Sequence, residues 1–237
     1  MVDTQKTLIY VNEENLEEAK FMSRNFVNSG IKKRAYLNTL GAEIVKDYLA
    51  SEGVDVVNLH NLHSISKILE KNDIADILLP NIHIDVRVVF NEEQIFVPKS
   101  HFEKEMLPDV YVAIKFDEEF KTAEFLGYFQ PSIIDKSKGN KEYYFLTRKQ
   151  LISPQSFVKC VKDFTGKAAR YLTEEDMLRG RELSVALNDH DLSVIEEQEL
   201  IELLMLSDPL RESVLEFDNF ETLAHAASGV VIKSYEE

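Results

Sequence analysis

Apolar residues recur along this chain with two different periods, and each change of period marks a new element. Thr7–Val11 alternates weakly and predicts a short strand. Asn12 then precedes Glu13, Glu14, Glu17 and Glu18, an N-cap with acidic residues early in the helix. Leu16, Ala19, Phe21, Phe26 and Val27 continue it as a helix to about Asn28, which Gly30 ends. Ala35, Leu37, Leu40, Gly41, Ile44, Val45, Tyr48 and Leu49 recur at helical spacing, and Gly53 closes that segment. Val54–Leu59 reads as a short strand and Ser64–Glu70 as a short helix.

From Ile74 the period falls to two. Ile74–Leu79 and Ile82–Phe90 are strands around the turn signal Pro80-Asn81. Gln94–Val97 adds a strand, and Lys99–Leu107 a helix that Pro108 stops. Val110–Phe116 and Ala123–Phe129 are further strands, and residues 135–141 form a polar linker. Glu142–Leu146 adds another strand, and Ser153-Pro154 opens a helix to about Phe164. The rest is helical: Thr173 with its acidic first turn, the capping box Ser193-x-x-Glu196, a helix from Asp208-Pro209 to Phe217, and Asn219–Ser228. The organisation is an α/β core over residues 1–135, a connecting strand and helix over 136–170, and an acidic helical region over 171–237.

Charge sharpens that division. The formal net charge is −15 over 237 residues. Residues 171–237 hold 17 acidic and 4 basic residues, whereas the other 170 are nearly balanced. An acidic surface repels phosphate backbones and suits a basic protein partner. Nucleic acid is thereby disfavoured, and a protein partner for 171–237 is expected. Cys160 is the only cysteine, so no internal disulfide forms, which suits a reducing compartment. No run approaches the length of a membrane span or a signal-peptide core, so the expected location is the cytoplasm and no membrane contact is expected.

The hairpin is where chemistry would sit. Asp76 lies on its first strand and Asp85-Val86-Arg87 on its second, with Asp85 and Arg87 on one face by period two. Glu43 on the preceding helix is a further carboxylate. The element order from Lys33 to Ile134, together with these residues, resembles the PD-(D/E)XK, restriction-endonuclease-like fold. There, one strand supplies an aspartate and the next supplies acid-x-Lys. The resemblance implies a mixed sheet flanked by helices. It also implies Glu43, Asp76 and Asp85 as ligands for Mg or Mn, and Asp76, Asp85 and Arg87 as catalytic residues. Arg87 stands where that family has lysine, and an arginine keeps its proton and cannot serve as a base. A second mapping uses Pro108-Asp109 and Glu124-Phe125-Leu126, with Leu126 at the lysine position.

The helix RAYLNTLGAEIVKDYL, the pair ADILLPNIHIDVRVV, and DVYVAIKF followed by FLGYF also resemble a family of uncharacterised proteins common in cyanobacteria. The segment LSVIEEQELIELLMLSDPLRESVLEF resembles the helical region of some anti-sigma factors. His60 and His63 form a His-x-x-His pair, His83 is a candidate acid–base group, and Lys32-Lys33-Arg34 is a small basic cluster. The reading that joins these features is a non-catalytic, nuclease-like scaffold or regulatory protein-interaction module without a cofactor. The alternatives are a divalent-metal-dependent nuclease and an anti-sigma-like regulator acting through its acidic helices.

Overall fold

A computed structural model describes residues 6–56, 61–79, 82–90, 94–163, 172–189 and 192–215. The fold is α+β: a five-stranded mixed sheet, a two-stranded sheet, and helices packed on both. The five-stranded sheet has the order β1-β6-β5-β3-β2. Its strands are β1 (Thr7–Tyr10), β2 (Asp76–Leu79), β3 (Ile82–Val88), β5 (Val110–Phe116) and β6 (Thr122–Phe129). Only β3 and β5 run parallel; the remaining neighbours are antiparallel. β4 (Ile95–Pro98) and β7 (Tyr143–Leu146) form the second, antiparallel sheet.

The helices follow their caps. α1 (Glu13–Ser23) starts at Asn12, whose side chain accepts from the Asn15 N–H while the Asn15 side chain accepts from the Asn12 N–H. α2 (Ser29–Ser51) starts at Asn28, whose Oδ1 accepts from the Gly30 and Ile31 N–H groups. This corrects the expected boundary. Asn28 opens the second helix rather than closing the first, and Gly30 lies in its first turn. A side-chain acceptor for two otherwise unpaired N–H groups outweighs glycine's tendency to stop a helix. The helix expected over Ser64–Glu70 is α3 (Ser66–Lys71). The helix expected over Lys99–Leu107 shrinks to α4 (Ser100–Glu103), because Glu105 turns to φ +55. The strand expected at Val54–Leu59 runs partly outside the described residues, as does the helix to Phe217. The helix expected at Asn219–Ser228 lies wholly outside them.

Alternation along the strands creates two unlike faces. Ile84 and Val86 of β3 and Val110, Val112 and Ile114 of β5 pack with Leu40, Ile44, Val45 and Leu49 of α2. Each such aliphatic side chain contributes about 1.5–3 kcal/mol by leaving water. Gly41 permits the close approach: a Cβ there would lie 3.0 Å from Val88 Cγ2. On the other face Tyr111, Ala113, Leu126 and Phe129 form a smaller cluster with β4 residues Ile95 and Val97. The interleaved positions of β3, His83, Asp85 and Arg87, are therefore buried on that second face.

α5 (Phe157–Asp163) continues from a short 3₁₀ turn at Pro154–Ser156. α6 (Glu174–Asp189) and α7 (Val194–Leu206) carry the acidic region, with α7 opened by the Ser193–Glu196 capping box. Their apolar residues Leu183, Leu187, Leu200, Ile201 and Leu204 share one cluster with Ile65, Ile68, Leu69 and Leu78. The acidic helices are thus packed against the loop and strand that carry the hairpin.

Candidate functional site around the hairpin

Register fixes the hairpin's carboxylates. Asp76 of β2 pairs directly with Asp85 of β3, so the two acids share one face of the sheet. Like charges opposite one another destabilise a strand pair unless each finds a partner. Both do.

Asp76 sits on the edge strand, and the segment Asn61–Ser64 covers that edge. The Leu62 and His63 N–H groups donate to the Asp76 carboxylate at 2.9 and 2.8 Å, and the Leu78 N–H donates to Asn61 Oδ1 at 3.0 Å. One donor of the edge strand, the Leu78 N–H, is thereby met by the protein's own loop. His63 Nδ1 lies 3.1 Å from Asp76 Oδ1, and Nε2 lies 3.6 Å from Glu43 Oε1, an ion-pair contact rather than a hydrogen bond. Lys46 pairs with Glu43 at 2.5 Å. Burial alone would push the His63 imidazole down, but its contacts with Asp76 and Glu43 outweigh burial and hold it up at about 9. Glu43 and Asp76 move the other way: burial would raise them, and His63 brings both down to about 2. A charged imidazolium therefore bridges the two carboxylates.

Asp85 belongs to a second group. Its Oδ2 accepts from the Ala75 N–H at 3.1 Å, and its Oδ1 lies 2.5 Å from Arg87 Nε. Arg87 Nη1 reaches Asp73 Oδ1 at 3.3 Å. Asp73 also accepts from Asn38 Nδ2 at 2.9 Å and from the Tyr143 hydroxyl at 3.0 Å. Burial would raise the Asp73 carboxyl, but the Arg87 charge and the Asn38 hydrogen bond bring it below its ordinary value. Burial pushes the Tyr143 phenol up, and the Asp73 charge adds to this, to about 12. His101 Nε2 donates to the Asp73 carbonyl at 2.8 Å and its Nδ1 accepts from the Tyr111 hydroxyl at 3.0 Å. Burial lowers the His101 imidazole, so it stays neutral in that relay.

The structure thus divides the sequence-derived set. Glu43 and Asp76 join through His63; Asp85 and Arg87 join with Asp73. Among the described residues no group of three or more His, Cys, Asp or Glu side chains is placed to hold a metal ion. In the second mapping, Asp109 accepts from the His83 N–H and Glu124 pairs with Lys6 and Arg148. His83 is buried and pushed down by that burial, and both its ring nitrogens lack a hydrogen-bond partner among the described residues. His60 lies outside the described residues. The Cys160 thiol is half-buried and raised by burial, which disfavours the reactive thiolate.

Sequence reasoning missed Asp73, His101, Tyr111 and Tyr143, and it placed His63 with His60 rather than with Asp76. Period-two alternation could have paired Tyr111 with the Asp85 face once β3 and β5 were known to be neighbours. No local signal marks Asp73 or Tyr143, which meet across 70 residues.

No helix among the described residues is long and apolar enough to cross a membrane. No curated protein and no solved structure matches the chain. A family described as a protein of unknown function, DUF1822, matches residues 9–212. The chain, folded as a mixed sheet whose hairpin carboxylates are paired internally, belongs to that DUF1822 family.

Proposed function

We propose that this chain is a non-catalytic, nuclease-like scaffold that acts as a regulatory protein-interaction module. The observation that carries the reading is the internal pairing of Glu43, Asp76, Asp85 and Arg87. Each group that would hold a metal or polarise a water is engaged by a neighbouring charge of opposite sign. The element order supports the nuclease-like part: helix α2, hairpin β2–β3, short helix α4, then β5 beside β3 and β6 beside β5. The likeness to uncharacterised cyanobacterial proteins rests on those same segments.

The partner surface in this reading is the acidic helix pair. Leu178 and Val185 on α6 and Val194 and Ile195 at the start of α7 are 59%, 53%, 69% and 76% exposed. Glu174, Glu175, Asp176, Glu196 and Glu197 stand beside them in sequence. Exposed aliphatic side chains bordered by acids complement a basic, amphipathic protein segment. An anti-sigma-like regulator is one form such a module takes. A purified chain carrying Leu178→Asp and Ile195→Asp should lose the partner that the unaltered chain holds, and should regain none at low salt. Retention of the partner by that variant would refute this surface.

A second reading has one observation in its favour: Asp76 and Asp85 are direct cross-strand neighbours. A divalent-metal-dependent nuclease would use Mg or Mn there, with Glu43 and Arg87 assisting. Thermal unfolding with and without millimolar Mn separates the two readings, because a specific site raises the midpoint as the metal fills it. The scaffold reading expects no shift. A saturable rise that Asp85→Asn abolishes would favour the nuclease.

A further inference from the structure

A cleft of about 400 Å³ opens beside the Arg87 group, between the start of α2, the end of β3 and the β4–β7 sheet. Among the described residues, Lys33, Arg34 and Arg87 line it together with the Asp73 carboxylate. Arg87 and Asn38 contact one oxygen of that carboxylate and the Tyr143 hydroxyl donates to the other. Arg87 also meets Asp85, so the described lining owes its positive charge to Lys33 and Arg34, in a chain of net charge −15.

Arg87 is the second, independent sign of a ligand. Its side chain is only 5% exposed, and its Nη2 has no hydrogen-bond partner among the described residues although Arg87 lines the cleft. A buried guanidinium donor left unpaired is costly, and an oxyanion is its natural acceptor. Arg34 adds a second such donor, since its Nη2 holds the Leu69 and Glu70 carbonyls while its Nε has no partner among the described residues. Lys33 and Arg34 also lie within the first turns of α2, whose N-terminal dipole favours negative charge.

The remaining walls are aromatic. Phe90 is 66% and Phe96 39% exposed, and both face the cleft. Lys33 Nζ lies 5.4 Å from the centroid of the Phe90 ring, so charge and ring surface meet at one edge. Two exposed phenyl rings beside three cations match a ligand with a flat ring and an anionic group. A phosphate monoester, with nearly two negative charges, uses the Lys33 and Arg34 cations better than a carboxylate does. The volume suits one small molecule, since such pockets span roughly 300–1,000 Å³.

We propose that this cleft binds a small ring-bearing phosphate of the nucleoside monophosphate class. Lys33 and Arg34 meet the phosphate, the Arg87 charge lies behind them in the cleft wall, and the base lies on the phenyl surface of Phe90 or Phe96. The overall acidity of the chain argues against a long polyanion, which would need cations well beyond these three. This site is independent of the partner surface on α6 and α7.

The test is calorimetric titration of the full chain with a purine and a pyrimidine 5′-monophosphate. Inorganic phosphate, the unphosphorylated nucleosides and a single-stranded decanucleotide serve as comparisons. Saturable 1:1 binding of a monophosphate, tighter than either inorganic phosphate or the nucleoside, is the expected result. Phe90→Ala should weaken it roughly five- to 150-fold, the range for loss of one base–aromatic stack. Lys33→Ala should weaken it and flatten its salt dependence. Both residues are exposed, so each variant should keep the parent's thermal midpoint, and circular dichroism checks this. No binding of either monophosphate at millimolar concentration overturns the proposal. So does binding unaffected by both substitutions, or equal binding of inorganic phosphate. Binding of the decanucleotide without the monophosphates would also overturn it, in favour of a single-strand surface.

Discussion

Two groups of the same composition, carboxylate–cation–carboxylate, sit at the hairpin and differ in one respect. In Glu43–His63–Asp76 the cation is an imidazolium that can lose its charge. In Asp85–Arg87–Asp73 it is a guanidinium that cannot. The first group closes the sheet edge: the backbone of Leu62 and His63 supplies Asp76 with donors, and His63 Nε2, without a hydrogen bond among the described residues, lies against Glu43. The second borders a cleft that Arg87 lines, with its Nη2 unpaired among the described residues. The difference teaches that the same charge arrangement can serve as a titratable lock on a loop or as a permanent charge beside a binding space.

The largest effect should come from the permanent group. Arg87→Met leaves Asp85 and Asp73 without their cation in a buried setting. It should cost about 3–5 kcal/mol in urea unfolding at neutral pH, the usual penalty for breaking a buried pair from one side. A loss below about 1 kcal/mol would mean that the two groups are equally dispensable, and the comparison would break.

The pH profile should sharpen it. His63 in the folded chain holds its proton up to about 9, against an ordinary value of 6.5. Its stabilisation is fully present below 6.5, because the unfolded chain is then protonated too. It is lost progressively as pH rises from 6.5 through 9. The loss should be on the order of 3 kcal/mol across that window. Glu43 and Asp76, brought down to about 2, add an acid limb. Their stabilisation is present above about 4.5 and disappears as pH falls through 2. His63→Gln should flatten the alkaline limb while leaving the Arg87 group's contribution unchanged; a limb that persists in this variant would assign it to another residue.

The smallest effect should come from Glu43→Gln. Glu43 keeps 14% of its side chain exposed and stands 3.6 Å from His63, so its loss removes the longer of the two carboxylate contacts and leaves Asp76 in place. A loss of about 1–2 kcal/mol at pH 6 is expected from chemical denaturation, under that of Arg87→Met. Equality of the two would show that exposure does not separate the groups.

Much of this arrangement was legible locally. Alternation alone placed Asp85 and Arg87 on one face of β3, and Pro80-Asn81 bounded the two strands that bring Asp76 opposite Asp85. Helix periodicity gave the apolar side of α2, including Gly41 where the sheet comes closest. The start of α2 was misplaced because two signals competed at Asn28 and Gly30, and the capping asparagine prevailed.

The sequence by itself determined the elements, the hairpin and the uneven distribution of charge, because these depend on near neighbours and on period. It could not decide which cation meets which carboxylate. His63 reaches Asp76 from 13 residues away, and Tyr143 reaches Asp73 from 70. Such pairs form only after the sheet order β5-β3-β2 and the packing of α2 set the distances. Only the tertiary structure turned the expected carboxylate set into two internally paired groups, and only it opened a cationic, aromatic cleft beside one of them. The physical reason is that charge pairing depends on angstroms of separation, while sequence pattern reports only which side of an element a residue occupies.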